Sequence, residues 1–260
     1  MRTFSLAALA LFAGSAIAQG DPQVVAQLID VGKRENQVMR HLEYLTLQIG
    51  PRLTGSSLHQ RACDWTKDMF ASFGLDSRLE QWGEIPVGFL RGKRQVGRMI
   101  SPTHREFQFT TRSWTAGTNG LVSAPAVLAP STADEIAAAA GRLRGAWAIV
   151  PPRPQQGGPS AEERAKMRTA LRDAGVVGTV TGSRNELVVT SGSWSNLDWN
   201  NLPKDVDVTV RASDYQAIND ALSAGSQVTL EFDLEQKFEP GPVPVYNVIA
   251  DIRGTEKPDE

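Results

Sequence analysis

Cysteine and histidine are almost missing from this chain: 260 residues hold one cysteine, Cys63, and three histidines. A single thiol excludes an internal disulfide framework. His41 in HLE, His59 in HQR and His104 in HRE stand in none of the HExxH, HxxxH or HxD spacings that put two ligands on one metal. Cys63 falls inside a helical pattern and reads as a small buried hydrophobe. A catalytic thiol needs exposure, positive surroundings and a histidine beside it. A basic surplus is lacking too. The net charge is −2, and the densest basic group, RGKR at 91–94, reads as a solvated hairpin or loop. Phosphate backbones demand clustered Lys and Arg, so nucleic acid is excluded as a partner. The phosphate-cradling patterns GxxxxGK[ST] and GxGxxG do not occur. Neither does GxSxG; the nearest segment, GSSLH at 55–59, follows a helix rather than a strand, and Ser56 or Ser57 reads as a helix cap.

What is present is ordinary globular material, 41% hydrophobic and 22% charged, enough for a sizeable core. The N-terminus MRTFSLAALALFAGSAIAQG carries Arg2, an apolar stretch from Phe4 to Phe12, and Ala16-Ile17-Ala18. That order of charged, apolar and small residues is the pattern of a secretory signal peptide cleaved between Ala18 and Gln19. The apolar run is short for a bilayer span, and no later stretch is longer. The expected destination is secreted, periplasmic or extracellular.

Three helical patterns follow. Asp21 and Pro22 cap and start the first, with Val24, Val25, Leu28 and Ile29 on one face. Val38, Leu42, Leu45 and Ile49 mark the second, which Gly50-Pro51 ends. The third is striped by Leu58, Ala62, Trp65, Met69 and Phe73 and closed by Gly74. SRLEQW at 77–82 reads as a first strand. Short strands with Gly, Pro and Thr turns are expected from about Gly88 to Ala129, in RQVGRMI, REFQFTTRSW and LVSAPAVLA. A helix at 132–143, the strand AWAIV and a Pro/Gly loop come next. Ser160 with Glu163 forms a capping box for the helix SAEERAKMRTALRDAG. VVGTVTG, ELVVTSG and VDVTVR read as strands, and Ser213 as the cap of a helix closed by Gly225. VTLEFDLEQKF reads as a strand, EPGPVP as a rigid linker, and VYNVIADI as a closing strand. The pattern describes an α/β frame interrupted by a β-rich unit.

Side-chain chemistry along this pattern is sparse. Asp64 and Asp68 are four apart on a helix and read as solvated. SGSWSNLDWNN places Trp194, Asp198 and Trp199 in one polar, aromatic loop, the best ligand-contact candidate of the middle unit. No catalytic set emerges from residue chemistry alone.

Several segments together resemble a known family. LTLQIGPRLTGSSLHQRACDWTKDMFASFGLDSRLEQW resembles the opening of secreted two-zinc exopeptidases of metallopeptidase family 28, the carboxypeptidase Q and aminopeptidase relatives. SWTAGTNGLVSAPAVLA, GRLRGAWAIV, ALRDAGVVGTV and SDYQAINDALSAGSQVTLEFDLEQKF resemble the protease-associated domain inserted in many of them. VYNVIADIRGTEKPDE resembles the strand and turn through which such chains return to the peptidase domain. The resemblance implies a signal peptide at 1–18 and the N-terminal part of a zinc-exopeptidase α/β domain at 19–109. It further implies a β-rich protease-associated-like domain at 110–240 and a return strand of the peptidase domain at 241–260. It implies a peptide substrate and two zinc ions in the complete enzyme, with one glutamate as general base. The family's zinc ligands match no position here and are expected beyond Glu260. The chain alone is therefore expected to have no catalytic or metal-binding residue and to be inactive. By the same resemblance Arg52 lies in a substrate-side loop. The alternative expectation is a non-catalytic secreted module that binds peptides.

Overall fold

The computed structural model describes residues 21–152, 154 and 156–255. The cleavage pair Ala18 and Gln19, and the tail from residue 256, lie outside them. The chain divides into two units, one ending at Gln48 and one beginning at Ile49. In the first, α1 (Pro22–Arg34) starts as expected: the Asp21 carboxylate accepts from Gln23 N at 2.8 Å, with proline at the first position. Its apolar residues Val24, Val25, Leu28 and Ile29 are all exposed. α2 (Val38–Glu43) continues into a π-helical segment at Tyr44–Ile49.

In the second unit, α3 (Ser57–Ser72) starts where Ser56 Oγ accepts from His59 N at 3.0 Å. Gly74, at φ +83°, closes it. Ala62 and Cys63 are buried, whereas Phe73, assigned to the buried stripe, is exposed because the helix ends before it turns inward.

β1 (Asp76–Ser101) is one long strand, not a short strand followed by turns. It pairs antiparallel with β8 (Thr229–Asp251) almost end to end, with register shifts at Gln81/Gly83, Ile85/Val87, Arg91/Gln95 and Met99/Ser101. Such bulges bend the ribbon and let β1 stay paired along most of its 26 residues. EPGPVP, expected to be a linker, lies inside β8. Its prolines are tolerated because β8 pairs with β4 (Val122–Leu128) only over Thr229–Phe232, so the 240–244 stretch has one ladder to maintain. Gly241 is required there: a Cβ would meet Pro86 O at 2.2 Å. RGKR is likewise inside β1, at the Arg91/Gln95 shift, and is not a free loop.

The remaining elements are β2 (Arg105–Glu106), β3 (Phe109–Thr111), α4 (Ala133–Ala138), α5 (Ala140–Leu143), β5 (Trp147–Val150), α6 (Ala161–Asp173), β6 (Gly178–Gly182), β7 (Asp207–Val210) and α7 (Ala212–Ser223). The strands form one mixed sheet in the order β2-β1-β8-β4-β5-β6-β7-β3, parallel from β4 to β7. Parallel strands are covered on both faces. Trp147, Ile149, Val180, Val208 and Phe232 pack with Ile218 of α7 on one side. Ala148 packs with Ile136, Leu143 and Leu171 of α4, α5 and α6 on the other.

Two sequence expectations change here. ELVVTSG forms no strand beyond a lone bridge between Gly192 and Ser113. Its backbone is taken by side chains instead: Leu187 N donates to Asn185 Oδ1 at 2.9 Å and Leu187 O accepts from Ser183 Oγ at 2.7 Å. Ser213 does not cap α7; it lies within the first turn, and its N–H and Oγ both donate to Glu186, at 2.9 and 2.7 Å. The Ser160–Glu163 capping box is present as expected, with bonds of 3.2 and 2.7 Å.

Candidate functional site

Two loops singled out from the sequence meet the same apolar cluster. Ile85 and Phe89 of β1, Val245 of β8 and Trp114 are buried together, and Leu53 and Leu197 pack against them. Leu53 belongs to the loop at 50–56 and Leu197 to the loop at 190–202, so the cluster fixes both loops over the bent middle of the β1–β8 ribbon.

The first loop turns on two glycines with positive φ, Gly50 at +93° and Gly55 at +74°. A Cβ on Gly55 would lie 2.7 Å from Ile85 Cδ1, so the glycine lets the loop press onto β1. Ser56 Oγ donates to Leu53 O at 2.6 Å and tightens the turn before α3. Arg52 curls back onto its own loop, its Nη1 donating to Gly50 O at 2.9 Å. Ser57 Oγ donates to Glu239 Oε1 at 3.4 Å, tying the loop to β8.

The second loop is anchored through aromatic rings. Trp114 holds a left-handed backbone, φ 56°, a conformation costing a non-glycine residue on the order of 1–3 kcal/mol. Its indole nitrogen donates to Val87 O at 3.0 Å, and its ring meets Phe89 at 5.8 Å and Trp194 at 5.4 Å. Trp194 is thereby half covered, while Trp199 keeps 45% of its surface in solvent. Asp198 Oδ1 accepts from Asn200 N at 3.0 Å and caps the short 3₁₀ turn Trp199–Asn201. Trp194, Asp198 and Trp199 thus share one ordered loop, and that loop and Arg52's lean on one core.

His104 is exposed and lies 3.2 Å from Glu106. His59 is half-buried on α3, and burial pushes its pKa below the usual value. Cys63 Sγ lies 3.9 Å from His59 Nε2, but burial, aided by the nearby Asp64 charge, pushes the thiol pKa up, opposite to what a nucleophile needs. Among the described residues no three His, Cys, Asp or Glu side chains converge to hold a metal ion. These residues do not fit a two-zinc centre. No described helix is long and apolar enough to cross a membrane.

Arg91, Thr110 and Thr190 form a polar cluster that sequence reading missed. RGKR reads as a solvated hairpin or loop, and Thr110 and Thr190 lie 80 residues apart in the chain. The spacing carries no signal; Arg91, paired with Gln236 just before the register shift, reaches Thr110 and Thr190 only in the folded sheet.

No protein-family model matches the chain, and no curated protein does. Among solved structures, a peptidase M28 precursor from Shewanella amazonensis superposes with a TM-score of 0.54 at 21% identity, covering 90% of this chain and 55% of that one. A zinc aminopeptidase from Bacillus subtilis gives a TM-score of 0.49 at 18% identity, covering 84% and 47%. An aminopeptidase from Aneurinibacillus sp. strain AM-1 gives 0.47 at 16%, covering 84% and 47%. The chain spans about half the length of the structures it matches. It shares, over most of its own residues, the mixed α/β fold of the Shewanella M28 peptidase.

Proposed function

We propose that this chain is part of a secreted two-zinc exopeptidase that hydrolyses peptides, with the metal ligands and the general base supplied by sequence outside these 260 residues. The observation that carries this reading is the superposition on the Shewanella M28 peptidase, which takes in 90% of this chain but 55% of that one. The chain by itself would cleave nothing. Residues 110–240 act as a protease-associated-like domain and residues 19–109 and 241–260 as parts of the peptidase domain, with β8 crossing from the first to the second. The charged, apolar and small-residue order before Gln19 supports secretion. The loop of Arg52 and the loop of Trp194, Asp198 and Trp199 lie on the peptide side, the exposed ring of Trp199 offering apolar contact and Asp198 holding its turn.

The test is the mature product from the native host, captured with an antibody to residues 160–240. Expected are an intact mass well above 28.2 kDa, bound zinc, and stepwise release of terminal residues from a peptide, lost on chelation. A mass at or just below 28.2 kDa without zinc overturns the enzyme reading and leaves a secreted peptide-binding module.

A further inference from the structure

Three partly buried arginines of the second unit have a carboxylate: Arg98 pairs with Glu231, and Arg105 and Arg211 with Asp214. Arg91 is different. Burial pushes its pKa below the usual guanidinium value, yet no acidic side chain among the described residues pairs with it. Its Nη1 donates to two neutral hydroxyls, Thr110 Oγ1 at 3.0 Å and Thr190 Oγ1 at 3.4 Å, which themselves lie 2.5 Å apart. Nε and Nη2 make no hydrogen bond to any described residue. Those two nitrogens form one edge of the guanidinium fork, the edge that takes a carboxylate through two parallel bonds.

Most polar groups nearby are engaged, although Gln95 Oε1 and Asp233 Oδ1 are buried acceptors with no hydrogen-bond partner among the described residues. Gln236, opposite Arg91 on β8, is hydrogen-bonded to the hydroxyls of Thr111 and Thr115. Arg94 pairs with Asp233, and Glu235 Oε2 accepts from Arg94 N. The Nε–Nη2 edge of Arg91 is not among the buried unpartnered groups, so it is open to solvent and within reach of an anion from outside.

We propose that Arg91, with Thr110 and Thr190, binds an organic carboxylate. Thr190 begins the loop that carries Trp194 and Trp199, so a carboxylate bound at Arg91 lies at the root of the aromatic loop. The carboxylate belongs either to a peptide C-terminus or to an acidic side chain. The site holds whether or not the chain is part of a peptidase.

The purified chain is titrated calorimetrically with three N-acetylated tetra-alanine probes: one with a free C-terminal carboxylate, one C-terminally amidated, and one amidated with glutamate at the third position. At least one acid probe is expected to bind and the plain amide to fail; which acid binds identifies the source. Arg91→Met is expected to weaken the binding acid probe about tenfold or more, and Arg91→Lys to fall between, because lysine keeps the charge but not the fork. Thr190→Val, on an exposed stretch, decides the matter if Arg91→Met does not fold, and is expected to weaken the acid probe several-fold with unfolding unchanged. Equal binding of acid and amide probes, no binding of either acid, or unchanged affinity in a folded Arg91→Met or in Thr190→Val overturns the proposal.

Discussion

Trp194 lies edge-on to Trp114, ring centroids 5.4 Å apart and planes at 61°. This contact is the aromatic hinge between the exposed loop and the buried ribbon, and its two sides are unequal. Trp114 is buried at 5% exposure and hydrogen-bonded, whereas Trp194 keeps 37% of its surface. Trp114→Ala removes ring, hydrogen bond and cluster together and is expected to cost about 3–5 kcal/mol. Trp194→Ala is expected to cost about 1–1.5 kcal/mol, the scale of one aromatic pair, and to raise hydrogen exchange across residues 190–202. Chemical unfolding of both variants checks the ratio. Equal costs would mean that the loop is part of the core.

Asp214 is the only fully buried carboxylate among the described residues. Its Oδ1 accepts from Arg105 Nε at 2.7 Å and its Oδ2 from Gln108 N at 2.8 Å, with Arg211 Nε 3.0 Å from Oδ2. It joins the start of α7 to the β2–β3 connection. Asp214→Ala leaves two guanidinium groups without their carboxylate and is expected to cost about 3–5 kcal/mol. Asp214→Asn keeps one acceptor oxygen and is expected to cost less than Asp214→Ala. A urea series with both variants and the parent checks the order, and a cost below 1 kcal/mol for Asp214→Ala would mean that water replaces the carboxylate.

Much of this fold was legible because it is written locally. Asp21-Pro22, Ser160 with Glu163, and the glycines after α3 and α7 act within one turn, and each holds in the structure. What was not legible is written at a distance. Nothing near EPGPVP announces that β1 lies beside it to give its prolines a ladder, and nothing in RGKR announces a register shift inside a long strand. ELVVTSG alternates like a strand but loses its backbone to Asn185 and Ser183. The Arg52 and Trp194 loops could be named singly, but their convergence on Ile85 and Val245 depends on a strand pairing that spans more than 150 residues.

Asp207 gives the chain a pH signature. Burial pushes its carboxyl pKa up, against the opposing pull of Arg112 and a 3.0 Å hydrogen bond from Thr179. A carboxyl whose pKa is higher folded than unfolded binds protons more tightly in the native state. Its ionisation therefore subtracts stability as the pH rises above about 4, the unfolded value. Asp207→Asn removes this penalty and keeps an acceptor for Thr179. The stability of the variant minus that of the parent is expected to be smallest near pH 4 and to grow toward pH 7. Urea unfolding at four pH values measures it, and a difference independent of pH would mean that Arg112 cancels the desolvation.

Gly50 and Gly55 turn the same loop but differ in what lies over them. Both have positive φ, so alanine at either position is strained by about 1–2 kcal/mol. A Cβ on Gly50 meets nothing within 4 Å, whereas one on Gly55 meets Ile85 Cδ1 at 2.7 Å. Gly55→Ala is therefore expected to cost about 1–3 kcal/mol more than Gly50→Ala, the overpacking term alone. Ile85→Val removes the atom that clashes, so the pair Gly55→Ala with Ile85→Val is expected to be less destabilised than the sum of the two single changes. A double-mutant cycle by chemical unfolding reads that coupling directly. Strict additivity would show that the loop moves off β1 rather than pressing on it, and the shared cluster beneath the two candidate loops would then be weaker than its packing indicates.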